Sequence, residues 1–126
     1  DVRLYMAVGV QPTPDLEASA AAFAGVLKEL SGAFSLSSRQ VSIFYDTAGY
    51  TKAFNRGNHL FFNLRFYHEA QRDRPRQEVL ASWYMTMCHE LAHNKWQGHD
   101  SGHERELQAL AVHFMPRLQE LLERDL

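Results

Sequence analysis

Two histidines four residues apart, His89 and His93, enclose a glutamate in the run His89-Glu90-Leu91-Ala92-His93, and a third histidine, His99, follows shortly after. A helix rises about 1.5 Å and turns about 100° per residue, so His89 and His93 would stack on one face about 6 Å apart. Two imidazole nitrogens at that spacing can close on one zinc ion (Zn2+) with bonds of about 2.0–2.1 Å. Glu90 follows the first His directly, where its carboxylate reaches a coordinated water without binding the metal. His99 offers a third nitrogen after a break in the helix and leaves a fourth position open. Three protein ligands with an open site are the pattern of a catalytic zinc. The chain is rich in histidine, with seven in 126 residues. Chance would place HExxH in about 3 of 100 shuffled copies, and the third His lowers that to roughly 1 in 1,000, so the triad carries the signal.

The chemistry expected of this set is metal-assisted hydrolysis. Zinc brings the pKa of its water toward about 7, Glu90 takes the proton, and the hydroxide attacks a carbonyl. Glu90 then returns the proton to the leaving amine. His99 is the first choice as third ligand; His103 is its rival, with Glu104 or Glu106 as carboxylate substitutes. His103 otherwise reads as a group beside the metal or facing the substrate. Asp100 reads equally as a partner to a ligand His or as the N-cap of the next helix. Trp96 should cover the turn after the motif, Cys88 and Met115 should pack in the core, and His113 and His68 earn no role. Tyr50 and Tyr67 are both candidates to stabilise an oxyanion. Arg65, Arg72, Arg74 and Arg76 form a basic cluster, read as solvated charge, with an acidic or nucleic-acid partner as the alternative.

These residues need a scaffold, and the apolar spacing outlines one. Val79, Leu80, Trp83, Met87 and Leu91 form a helical stripe that delivers the motif on the last turns of a helix opened near Pro75. Arg3 to Val10 alternates as a strand. Thr13-Pro14-Asp15 starts a helix whose Leu16, Ala20, Phe23, Leu27 and Leu30 share a face, closed by Ser31-Gly32. Val41 to Tyr45 and Lys52 to Phe54 read as strands, and Asn55-Arg56-Gly57-Asn58 is a turn. His59 to Phe66 is the strongest strand, expected at the sheet edge in a hairpin. Leu107, Leu110, Ala111, Phe114, Leu118 and Leu121 mark a last helix from about Gly102, which Pro116 should kink or split. The fold class is α+β: a small mixed sheet, one early helix, the motif helix and a C-terminal helix.

Length bounds this to one domain over residues 1–126. A 45% hydrophobic share is enough for a core, and a net charge of −2 gives no global pull toward nucleic acid. No apolar run approaches the ~20 residues of a membrane span. A single Cys excludes an internal disulfide and suits a reducing compartment, so an intracellular setting, nucleus or cytoplasm, is expected. The chain starts at Asp1 and shows no signal-peptide pattern, so it reads as a piece of a longer protein with further domains.

The run His89-Glu90-Leu91-Ala92-His93-Asn94 with Gly98-His99-Asp100 resembles the WLM and SprT-like minimal zincins, a set of metallopeptidases. The metzincin pattern, by contrast, asks for Gly at the eighth motif position, where this chain has Trp96. Ala53-Phe54-Asn55-Arg56-Gly57 and Leu60-Phe61-Phe62-Asn63-Leu64-Arg65 also resemble a peptidase-like domain of large eukaryotic proteins that carry a kinase-type ATPase module. The resemblance implies a zincin-like fold, an intracellular zinc endopeptidase with metal ligands His89, His93 and His99, and a protein or peptide substrate. It also implies substrates associated with DNA. It implies an edge strand that pairs with extended substrate above the metal, with His59 to Phe66 the candidate here. The alternative is a zincin module of weak or no activity that binds zinc and serves in protein interaction or regulation. A metal-dependent hydrolase acting on something other than peptide is a third reading.

Overall fold

The computed structural model describes residues 2–7 and 9–124. Their order is β1 (Arg3–Met6), α1 (Pro14–Ala33), a short 3-10 turn (Ser38–Gln40), β2 (Val41–Tyr45), β3 (Ala53–Arg56), β4 (His59–Asn63), α2 (Leu64–Ala70), α3 (Arg76–Ala92) and α4 (Ser101–Glu123). The result is a small α+β fold with four helices and a four-stranded mixed sheet. Strand order is β1-β2-β4-β3, with β1 and β4 parallel to β2 and β3 antiparallel to β4. Val8, expected on the first strand, lies outside the described residues.

Helix α1 begins as its sequence dictates, with the Thr13 hydroxyl accepting the Leu16 amide at 3.1 Å and Pro14 in the first turn. It does not end on Gly32. The chain turns at Ser35, whose φ of 59° puts a serine where glycine is the common choice. Leu36 N–H then reaches Ser31 O and Ser35 N–H reaches Gly32 O, which satisfies the last carbonyls of the helix. Arg117 donates to the Ser35 hydroxyl and holds this corner against α4.

The strongest strand stops earlier than its alternation implies, and it is not the edge. β4 lies between β2 and β3, and β3 is the outer strand of the hairpin. Leu64 to Phe66, expected on the strand, begin α2 instead. The reason is Asn63, which is fully buried. Its side-chain oxygen accepts the Arg65 amide at 3.1 Å, and its NH2 donates to Asp46 O and Thr51 O. A polar side chain so committed closes the strand and caps a helix at one stroke. Leu64 and Tyr67, three residues apart, then bury on one face, a spacing that alternation over so short a run cannot tell from a strand.

Val41, Ile43, Leu60 and Phe62 pave the helix-facing side of the sheet against Phe23, Leu27, Leu30, Leu80, Trp83 and Met87. Each such side chain contributes about 1.5–3 kcal/mol of burial. On the opposite face Phe54 stacks on Phe61 and meets Phe44 at a tilt. α4 runs through Pro116 unsplit, and Met115, expected in the core, is 44% exposed on it. Pro116 and Val112 are both exposed, so the Val112 carbonyl that loses its helical donor can face water. No described helix is long and apolar enough to cross a membrane.

Candidate metal centre

The last turn of α3 carries two of the three candidate ligands, and helix ends leave their final carbonyls without intrahelical donors. Here each of those carbonyls is met. His93 N–H turns to Glu90 O rather than His89 O, tightening the turn. His89 O instead accepts from His103 Nε2 at 2.9 Å, across from α4. Glu90 O also accepts from Asn55 Nδ2 at 2.8 Å, across from the edge strand β3. Leu91 O and Ala92 O receive Asn94, Lys95 and Trp96 amides from the loop that follows. The histidine-bearing turn is thus pinned from the sheet on one side and from α4 on the other.

Three imidazoles converge above it. His99 Nε2 lies 3.2 Å from His89 Nε2 and 3.2 Å from His93 Nε2. Nitrogens bound tetrahedrally to one ion at 2.0–2.1 Å sit about 3.3–3.4 Å apart, so these separations fit a shared cation. The tautomer agrees at His93. Its Nδ1 is 2.9 Å from Trp96 O, which can only accept, so the proton sits on Nδ1 and Nε2 is bare. Burial, followed by the neighbouring imidazoles, holds His89 down to a pKa of about 4, so its ring stays neutral and able to bind metal at neutral pH.

A fourth ring, His103, stands beside them, and with His89 and His93 it forms a second, overlapping group of donors within 4.8 Å. The 3.2 Å separations of His99 Nε2 from both helix-borne Nε2 atoms favour His99 as third donor, while His103, with Nε2–H on the His89 carbonyl, keeps Nδ1 free as the rival. His103 is 4% exposed and stacks on the His93 ring at 4.2 Å between centroids. It therefore touches both helix-borne histidines, one through the backbone and one through the ring. Asp100 takes the capping role: its carboxylate accepts the His103 amide at 3.0 Å and starts α4.

Glu90 is buried, with Oε2 3.9 Å from His89 Nε2. Burial pushes its carboxyl up to about 7, with the His103 ring pulling weakly the other way. The carboxyl thus stands beside the His89 imidazole at the floor of the histidine cluster. Cys88, one residue before the motif, is buried and its thiol is pushed up to about 12 by that burial, in keeping with a packing role.

Two hollows meet at the centre and share Ala53, His89 and Glu90. One, of about 480 Å³, is walled by the amides Asn55, Asn58, Asn94 and Gln97 and includes His93 and His99. The other, of about 690 Å³, runs toward Tyr50, Lys52, Met85 and Leu107. Together they make one cleft along β3 with the imidazoles in its middle.

Other candidates disperse. Tyr67 stacks on Phe23 in the core, 4.9 Å between rings, and leaves Tyr50 as the tyrosine that borders the cleft. His113 packs edge-on against Phe114, and His68 hydrogen-bonds Ser19. Glu106 pairs with Lys95, and Glu104 is exposed. Arg65 donates to Asp46 O and Gly49 O, Arg76 pairs with Glu29 at 2.6 Å, and Arg72 sits 3.9 Å from Asp73. Those arginines therefore staple loops and helices. Asn55 escaped the sequence reading, which saw it only as a turn residue. It is both: Oδ1 accepts the Asn58 amide of the hairpin turn while Nδ2 clamps Glu90 O and Asn94 Oδ1. Nothing in the sequence links positions 55 and 90; pairing of the hairpin against α3 does. No family model, curated protein or solved structure matches this chain.

Proposed function

We propose that this domain is a zinc-dependent peptidase of zincin-like architecture, in which His89, His93 and His99 hold the metal and Glu90 moves the proton. The observation that carries the proposal is the convergence of three imidazoles, with His99 Nε2 3.2 Å from both His89 Nε2 and His93 Nε2, beside a buried carboxyl. Bound zinc would supply a Lewis acid that polarises a carbonyl and acidifies a water. Glu90 accepts the proton of the attacking water and passes it to the departing amine nitrogen, so no covalent intermediate is required. Asn55 and His103 hold the turn that aims Glu90 and the two helix-borne imidazoles. The outer edge of β3, unpaired among the described residues, offers main-chain groups to an extended peptide, the role that the resemblance implies for His59 to Phe66. The hairpin's other strand, β4, has both edges occupied and cannot serve.

The experiment joins metal content to turnover. The purified chain is expected to bind one zinc and to cleave an unfolded protein substrate, with cleavage abolished by a chelator and restored by zinc. Glu90→Gln should keep its zinc and lose about 10²–10⁴-fold in rate. Undiminished cleavage by zinc-loaded Glu90→Gln would refute the role of Glu90. A second reading, a zinc-binding interaction module without turnover, draws on the fourth imidazole, since His103 as an added ligand would close the open position. Zinc bound tightly by a wild-type chain that cleaves nothing would favour that module.

A further inference from the structure

The larger half of the cleft holds a cation, Lys52, with no ion pair among the described residues. Lys52 directly precedes β3, and its carbonyl accepts the Asn63 amide at 2.8 Å, so its backbone is fixed in the sheet. Its ammonium lies 4.7 Å from the centroid of the fully buried Trp83 ring, drawn inward over the core. Among the described residues no carboxylate forms an ion pair with it, whereas Arg76 and Lys95 each have one. Partial burial lowers the Lys52 pKa, because the ammonium gives up part of its water. A π-face offsets part of that cost but offers no oxygen to the ammonium hydrogens.

The walls around it define what would fit. Met85 and Leu107 are apolar, and the Ser82 and Thr86 hydroxyls add polar contacts. Glu90 and His89 close the end shared with the metal centre. The other half of the cleft is walled by side-chain amides and, apart from the central imidazoles and Glu90, has no charged group. The asymmetry is chemical: one side of the centre would meet a neutral polar group, the other an anion on an aliphatic stem.

Building on the peptidase reading, we infer that Lys52 forms a carboxylate-binding subsite on one side of the scissile bond. The carboxylate is either an acidic side chain near that bond or the free carboxyl terminus of the substrate. Both use the same charge-assisted hydrogen bonds to the ammonium.

The test separates binding from turnover by using the full chain, zinc-loaded and carrying Glu90→Gln so that peptides stay intact. The probes are fluorescent ten-residue peptides in a neutral Ala/Ser/Gly background. One pair carries a central Glu or Gln with an amidated end; the other has no acidic side chain and ends in a free carboxylate or an amide. Anisotropy should show about tenfold tighter binding of one carboxylate-bearing peptide over its neutral twin, weakening with salt. Preference for Glu assigns the subsite to an acidic side chain, and preference for the free terminus assigns it to the chain end. Adding Lys52→Met should erase the preference, Lys52→Arg should retain it, and Lys52→Glu should turn it toward a central Lys. Peptides that bind without a carboxylate preference, or a preference that survives Lys52→Met, overturn the subsite and leave the peptidase reading standing. Failure of every peptide to bind the zinc-loaded protein overturns both.

Discussion

His89 and His93 stand on a helical turn tied to β3 by Asn55 and to α4 by His103, while His99 hangs from the exposed loop between α3 and α4. The helix fixes the first pair by its own geometry, and two outside donors remove the fraying expected of a helix end. The loop has no such regularity. It is held at Trp96, whose carbonyl accepts the His93 Nδ1–H hydrogen bond, and at Asp100, which caps α4. The Trp96 ring lies flat on Gly102, where an added Cβ would fall 2.7 Å from the ring. The comparison teaches that one donor set is built in two ways: a preorganised helical pair, and a third arm whose position depends on one glycine and one indole. Trp96 fastens the turn after the second histidine by an aromatic contact to the start of α4.

The comparison can be broken most sharply at the ligands. His89→Ala or His93→Ala should weaken zinc binding by about 10³-fold or more, since each leaves a single helix-borne nitrogen. His99→Ala should cost less, about 10–10²-fold, because the rigid pair survives. Equal losses in a chelator competition assay would show that the loop is as preorganised as the helix. Next in size is His103. His103→Phe keeps a ring against His93 but leaves the His89 carbonyl without its donor, and should weaken zinc by about 10–100-fold. His103→Gln restores a donor and should recover part of that loss. A cobalt-substituted wild type whose visible spectrum reports four nitrogens, changed to three by His103→Phe, would instead make His103 a ligand.

Gly102→Ala sharpens the loop side. The clash with Trp96 should cost about 1–3 kcal/mol in a denaturant titration and loosen the third arm. Gly102→Ala combined with Trp96→Ala should relieve the clash yet leave zinc weakened, because the loop loses its anchor. Smallest is the effect of Lys52. Its pKa is lowered in the folded state, so between that value and the usual 10.5 the unfolded chain binds more protons and stability rises with pH. Lys52→Met removes this titration, and the stability of the wild type relative to it should climb from pH 7 toward 10.5. Half-exposure screens the charge, so the change should stay below about 1 kcal/mol. A flat difference over that range would place the ammonium in bulk water.

The clustering of the three histidines was legible in the chain because its geometry is local. Four residues of helix set the His89–His93 spacing, and a short loop with Gly98 brings His99 back within reach. Helix α1, the motif helix and the hairpin at the sheet edge were legible for the same reason: periodicity and turn residues act over a few positions. Other features depended on contacts between distant segments. Asn63 ends β4 because carbonyls at 46 and 51 come to it, so alternation continued on paper where the strand did not. Which strand of the hairpin faces outward was settled by the parallel pairing of β2 with β4, a choice between two partners that no local pattern encodes. His103 could be named but not assigned, since its place beneath His93 follows from how α4 packs on α3. The sequence by itself determined which atoms can bind a cation, through residue type and helical spacing. Only the tertiary structure decided which carbonyls are satisfied, which edge is open and where a lone lysine stands, because those depend on long-range packing rather than on the turn of one helix.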